Sequence, residues 1–274
     1  LYIMLLQKRE ENAITLAATA NNGRIIEEPI PGGIVSPKGK LIYIIALVIG
    51  IGIPISIIYL LNLLRFRIEG HTDVEKLTTV PIIGDIPLTD AGKNGTPTIA
   101  VRENDNNIMA ETFRSLRTNL LFIMGDPDKK VILVTSTISG EGKTFMASNL
   151  AVSLALLGKK VILVGLDIRK PGLNKLFHLS HKEKGITQYL AAPKSTDLHA
   201  LIQPSGITSN LDLLLGGPIP PNPTELLARQ SLEDTISTLR KEYDYIVLDT
   251  APIGMVTDTL ILSRVADASI YVCR

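Results

Sequence analysis

The chain has 274 residues, of which 45% are hydrophobic and 20% charged, and its formal net charge is +1 at pH 7. That length and composition suffice for one globular core with apolar sequence left over, and the near-neutral charge gives no long-range field to draw nucleic acid or an acidic substrate. The single cysteine, Cys273, excludes an internal disulfide framework and a multi-cysteine metal site; it reads as a small core hydrophobe in a reducing compartment.

The chain opens at Leu1 rather than at a methionine and stops at Arg274, directly after the strand-like run Ala268 to Cys273, so it reads as a fragment cut at both ends. A short helix is expected from about Tyr2 to Leu16. It is followed by Asn21-Asn-Gly, a strand-like Arg24-Ile-Ile and the proline-containing stretch Pro29 to Lys38. Residues 1–40 therefore read as the tail end of a larger domain. Residues 41–64 carry no charge, and at about 1.5 Å per residue they are long enough to cross roughly 30 Å of hydrocarbon as a transmembrane helix in a lipid bilayer. Gly50, Gly52 and Pro54 lie mid-span, where a proline frees a backbone carbonyl and glycines allow close helix packing. Lys38 and Lys40 balance Arg65 and Arg67, so the positive-inside count leaves the orientation open.

Residues 65–105, rich in Gly, Pro, Thr, Asn and Asp, read as a juxtamembrane linker, and residues 106–274 as the catalytic domain. The domain begins with an amphipathic helix whose face is Met109, Phe113, Leu116, Leu120 and Ile123, at alternating spacings of four and three. Beyond it, short apolar runs at Val131, Val161, Leu211, Tyr245 and Ile270 are interleaved with helical patterns near Thr144 to Leu157 and Thr224 to Lys241. Continuous apolar strands separated by helices predict an α/β fold: a parallel sheet covered by helices on both faces, of the P-loop NTPase type.

Three strand ends carry the chemistry. After the first strand comes Thr135-Ser-Thr-Ile-Ser-Gly-Glu-Gly-Lys-Thr144, a P-loop between strand and helix. Ser139, Gly140, Glu141, Gly142, Lys143, Thr144 and Phe145 form the candidate cradle for ATP phosphates. There the glycines turn N–H groups inward, Lys143 pairs with the β- and γ-phosphates, and Thr144 offers its hydroxyl to Mg²⁺. Thr137 stands at the first glycine position of the usual pattern. The strand ending at Asp249 supplies a second carboxylate for the magnesium shell, since ligands in open α/β sheets bind beyond the carboxyl ends of the strands. The strand Val161-Ile-Leu-Val-Gly-Leu-Asp167-Ile-Arg169 delivers a third feature. Asp167 is the candidate to accept the proton of a hydroxyl that takes up phosphate or, alternatively, to ligate the metal. Arg169 either neutralises phosphoryl charge or makes a structural ion pair.

These motifs, with Lys170-Pro-Gly-Leu after one and Gly217-Pro-Ile-Pro-Pro-Asn-Pro-Thr-Glu-Leu-Leu before another, resemble the bacterial tyrosine kinases known as BY-kinases from about Ala110 to Arg274. Residues 1–64, with Pro31, Ser36, Pro37 and Lys38, are similar to the end of the polysaccharide chain-length determinant domain that precedes the kinase in the Gram-negative type. The resemblance implies an inner-membrane tyrosine autokinase using ATP and Mg²⁺. Residues 1–40 would be periplasmic and 65–274 cytoplasmic, and the partners would be capsule or exopolysaccharide export and polymerisation proteins and a cognate tyrosine phosphatase. It also implies a homo-oligomeric ring, because Glu111, Arg114 and Arg117 match the family's Glu-x-x-Arg-x-x-Arg interface pattern and lie off the apolar stripe, free to face a neighbour; the alternative is an intrahelical Glu111–Arg114 pair on a solvated face, worth only tenths of a kcal/mol.

There are three departures. Gly165 stands where the family usually has the first of two aspartates, the tyrosine-rich tail is lacking and reads as truncated, and Pro54 replaces an expected membrane glycine. Two other readings stay open. One is a partition- or septum-type ATPase, against which Ile138 stands where those proteins have a lysine. The other is a nucleotide-binding scaffold of the export machinery in which Gly165 weakens catalysis.

Overall fold

A computed structural model describes residues 1–19, 32–33, 38–63, 70–87, 99–103, 107–177, 179 and 184–274. The features expected at Asn21 to Ile26, at Pro31, Ser36 and Pro37, and at Leu64, Arg65 and Arg67 lie outside those residues. The chain separates into two units, Leu1–Phe66 and Arg67–Arg274.

In the first unit, α1 spans Tyr2–Ala18 and α2 spans Gly39–Leu63. Neither buries a side chain. With 25 residues and an almost wholly apolar surface, α2 is long and apolar enough to cross a membrane. Pro54 lies inside it and donates no hydrogen bond to the carbonyl of Gly50, one turn earlier.

The second unit opens with α3 (His71–Leu77) and α4 (Ile108–Met124). Helix α4 starts where the Asn107 side chain accepts a hydrogen bond from the Ala110 N–H at 2.7 Å and stops at Gly125, in the left-handed region at φ +58°. Its buried face is Met109, Phe113, Leu116, Leu120 and Met124, whereas Ile123 is exposed. The expected stripe thus ends one residue late, because a spacing of four after Leu120 keeps the side chain over the core and a spacing of three carries it off.

The α/β core follows in the order β1 (Val131–Ser136), α5 (Lys143–Ala155), β2 (Val161–Gly165), α6 (Leu173–Leu176), α7 (Ile186–Ala191), β3 (Ile202–Pro204), β4 (Leu211–Leu214), α8 (Pro223–Leu227), α9 (Gln230–Glu242), β5 (Tyr245–Asp249), α10 (Asp258–Leu262) and β6 (Ala268–Val272). The strands form one sheet in the order β3-β4-β2-β5-β1-β6. All neighbouring pairs are parallel except β3 with β4. The parallel sheet is as expected; the antiparallel edge strand β3 is an addition.

Strand side chains alternate between faces, and the core divides accordingly. Ile132 and Val134 of β1, with Val161 and Leu163 of β2, join the cluster under α4 and α5 that includes Phe113, Leu120, Leu150 and Leu154. Val131 and Leu133, with Ile162 and Val164, join the cluster under α7 and α9 that includes Ile186, Leu190, Ile236 and Leu239. Each fully buried leucine or isoleucine contributes about 1.5–3 kcal/mol.

Parts of the segment expected as a linker also lie on this core. Ile83, Ile86 and Ile99 pack against the first cluster, the Ile83 carbonyl accepts from Asn119 Nδ2 at 2.9 Å, and Asn149 Oδ1 accepts from the N–H groups of Ala100 and Val101 at 2.8 and 3.0 Å. Cys273 is exposed rather than buried. It directly follows β6, an edge strand in which only Ile270 is buried.

Candidate functional site

The strand order decides what meets at the site. Because β5 lies between β1 and β2, Asp249 at its C-terminal end is flanked by the loop after β1 and by the turn after β2. The backbone carbonyl of Asp249 accepts from the N–H groups of Leu166 and Asp167 at 2.8 and 2.9 Å, which ties the two carboxylate-bearing turns together.

The loop from Thr137 to Gly142 turns through Gly140 and Gly142, both at φ +99°, a conformation in which an L side chain is strained. No atom within 4 Å would obstruct a Cβ at either, so glycine is needed there for the turn of the chain and not for packing. Glu141 Oε2 accepts from the Ile138 N–H at 2.8 Å and closes the loop on itself. Thr137, at the first glycine position, is accommodated. Its carbonyl accepts from the Gly254 N–H at 3.1 Å, its hydroxyl lies 2.5 Å from that of Tyr271, and a Cβ on Gly254 would come within 2.6 Å of the Thr137 carbonyl oxygen.

Helix α5 then brings Lys143 and Thr144 into the crevice. Lys143 Nζ donates to Asp167 Oδ2 at 2.7 Å and lies 4.0 Å from Asp249 Oδ1. The Thr144 hydroxyl donates to Asp249 Oδ1 at 3.2 Å, and the Lys170 N–H donates to Asp167 Oδ1 at 3.0 Å. Lys143, Asp167 and Asp249 are buried, and Asp249 is only 1% exposed. Burial pushes its pKa up to about 6; Lys143 and the Thr144 hydroxyl pull it down, and Asp167 adds to the rise. A buried carboxylate beside a hydroxyl, next to a glycine cradle, is the hard-oxygen donor set that suits Mg²⁺, which keeps most of its own water. The residues present therefore fit a magnesium-bound nucleotide.

Arg169 is committed elsewhere. Its Nε and Nη2 donate to Asp258 at 2.7 and 3.1 Å, and Nη2 also donates to Thr224 at 2.9 Å. The Asp258 hydrogen bond raises the guanidinium pKa, and the Arg169 bond holds the carboxyl of Asp258 below its ordinary value despite burial. Of the two readings left open, the structural ion pair is the one found. Of its partners, Thr224 belongs to the Gly217 to Leu227 run quoted for the resemblance, whereas Asp258 belongs to no pattern read in the sequence.

On α4, Glu111 and Arg114 pair on the exposed surface. That pair is the intrahelical alternative to an interface role, and Arg117 also has a partner: its Nη1 donates to the Ser153 carbonyl on α5 at 2.6 Å. Burial, and then Arg114, lowers its pKa. The crevice also contains Gly172, from the Lys170-Pro-Gly-Leu run, and Asn174, which no motif marked.

A family described as an AAA domain matches residues 129–272. The chain belongs to this AAA-domain family. Within it, the resemblance to bacterial tyrosine kinases runs along the whole chain. The putative tyrosine-protein kinase EpsB of Ralstonia nicotianae is 31% identical over all of it, and the tyrosine-protein kinase wzc of Salmonella typhi is 30% identical. The chain spans 37% and 39% of their lengths. The solved kinase domain of the Escherichia coli tyrosine kinase ETK matches at TM-score 0.69 and 29% identity, covering 75% of this chain and 82% of that one. The BceF tyrosine kinase domain matches at TM-score 0.65 and 30% identity, covering 75% and 85%.

Proposed function

We propose that this AAA-domain protein transfers the γ-phosphate of ATP to tyrosine, using the cluster of Lys143, Thr144, Asp167 and Asp249. The observation that carries the reading is the buried Lys143–Asp167 pair at 2.7 Å beside the Thr144–Asp249 bond at 3.2 Å, all beyond the carboxyl ends of the parallel strands. Similarity to proteins named as tyrosine kinases supports it.

The roles follow from charge. Lys143 leaves Asp167 for the β- and γ-phosphates, whose negative charge attracts it more strongly than one carboxylate does. Asp167 Oδ2 is then free to take the proton of the acceptor hydroxyl as the tyrosine oxygen bonds to the γ-phosphorus and the bond from that phosphorus to ADP breaks. Ser139 to Phe145 cradle the phosphates through backbone N–H groups. Magnesium, held by Thr144 and Asp249, supplies charge neutralisation to the phosphates when bound.

In the same reading α2 crosses the bacterial inner membrane, with residues 1–40 periplasmic and 65–274 cytoplasmic, where ATP is. Glu111 and Arg114 face a neighbouring subunit in a ring, with Arg117 bracing the helix that carries them. The protein works with polysaccharide export and polymerisation proteins and is reset by a tyrosine phosphatase. Mass spectrometry for phosphotyrosine on the intact natural protein after incubation with ATP and Mg²⁺, beside Asp167→Asn, tests the activity. Modification confined to the unmutated protein is expected. Nucleotide binding with phosphotyrosine on neither protein would overturn the kinase reading and leave a nucleotide-binding scaffold.

A further inference from the structure

The turn after β2 contains a polar group that the roles above do not use. Asn174 is 8% exposed, and its side-chain oxygen has no hydrogen-bond partner among the described residues. A buried carboxamide oxygen is normally bonded, so one without a partner marks a place where a donor or a cation belongs. Its surroundings name the visitor. Asn174 lines the crevice that contains Asp167 and Asp249. Two residues earlier, a Cβ on Gly172 would lie 3.4 Å from the Thr144 hydroxyl oxygen, so the Pro171 to Asn174 turn is laid directly over the threonine assigned to the cation. Gly165, in register with Asp249, contributes no side chain, and a Cβ there would meet Leu173 Cδ1 at 3.1 Å and the Gly216 nitrogen at 3.2 Å. Leu173 closes off that side, and the residue after it is Asn174.

We propose that the Asn174 side-chain oxygen accepts a hydrogen bond from the water shell of the bound divalent cation, making Asn174 a positioning residue for the magnesium–nucleotide pair. The inference rests on the nucleotide site proposed above. A neutral acceptor at this point holds metal-bound water without adding a third negative charge to two buried carboxylates.

The test uses the full-length natural protein in detergent, titrated with N-methylanthraniloyl-ADP at increasing MgCl₂ and in EDTA, with melting followed in EDTA. For Asn174→Ala we expect the magnesium midpoint to rise about tenfold, as for other partners that act through metal-bound water, with nucleotide affinity in EDTA and melting unchanged. Asn174→Asp retains an acceptor and returns the midpoint to or below that of the unmutated protein. An unchanged midpoint in Asn174→Ala overturns the proposal, as does a lowered melting temperature with an unchanged midpoint, which would mean a purely structural role. If Asn174→Ala does not fold, Asn174→Asp decides: a midpoint above that of the unmutated protein overturns the inference. An unmutated protein that binds no nucleotide at any magnesium concentration would overturn the nucleotide site itself. Magnesium-dependent binding unaffected by Asn174→Ala would overturn only the present inference.

Discussion

The ends of β2 and β5 place their carboxylates in the same crevice, yet in opposite electrostatic situations. Asp167 has an ammonium at 2.7 Å and a backbone N–H at 3.0 Å, so its charge is balanced within the protein. Asp249 has a hydroxyl at 3.2 Å and the same ammonium only at 4.0 Å, and burial lifts its pKa to about 6. Two carboxylates in one crevice, Asp249 at the end of β5 and Asp167 two residues beyond the end of β2, are thus not equivalent groups: one is compensated before any ligand arrives, and the other is left for a cation to compensate.

Removing the shared ammonium breaks this difference most severely. Lys143→Met strands Asp167 and should abolish phosphotyrosine formation while destabilising the catalytic unit by about 3 kcal/mol in urea melts, as expected when one partner of a buried pair is lost. Membrane insertion should be intact, and unchanged phosphotyrosine would remove Lys143 from the site. Next come the paired asparagine variants. In the absence of nucleotide, Asp167→Asn should cost about 3 kcal/mol because it leaves Lys143 buried and uncompensated, whereas Asp249→Asn should cost less than about 1 kcal/mol or even stabilise. Equal losses in the two variants would erase the distinction.

The third measurement is pH. With a folded-state pKa of about 6, Asp249 is ionised above that value and protonated below it. Magnesium-dependent nucleotide binding should therefore weaken more steeply as pH falls through about 6 in the unmutated protein than in Asp249→Asn, where only the nucleotide's own phosphate titrates in that range, as followed by nucleotide fluorescence. For the protein without cation the stability effect of this group runs the other way. A raised carboxyl pKa gives a contribution that is complete below the unfolded value near 4 and is lost as pH rises through about 6. The smallest expected effect is at the end of β2. Gly165→Ala forces a Cβ to 3.1 Å from Leu173 Cδ1, a side chain that can move, and to 3.2 Å from a backbone nitrogen that cannot move freely. A loss of about 1 kcal/mol is expected in denaturant titrations.

The site was largely legible in the sequence because its parts are local: a strand, a glycine turn and Lys143-Thr144 at a helix start, then an aspartate at the end of each of two apolar strands. What escaped depends on contacts between distant residues. Strand β3 is three residues long and ends on Pro204, so it has no period to detect and exists only by pairing with β4. The pieces around Ile83 and Val101 read as linker by composition, and their packing on α4 and α5 depends on partners in distant elements. Cys273 read as a core residue because its neighbours are apolar, although an edge strand exposes residues that the same pattern buries in a central one. Arg117 has the right spacing to sit beside Arg114, but the approach of α5 turns it inward to Ser153.

The contact between Gly254 and Thr137 means that the glycine loop after β1 is not a portable cassette. Part of its shape is set by a residue 117 positions downstream, whose missing side chain lets one backbone nest against another. A protein engineer who grafted Thr137 to Thr144 onto another parallel sheet would have to bring along a second glycine, from outside the segment, for the transplanted turn to close.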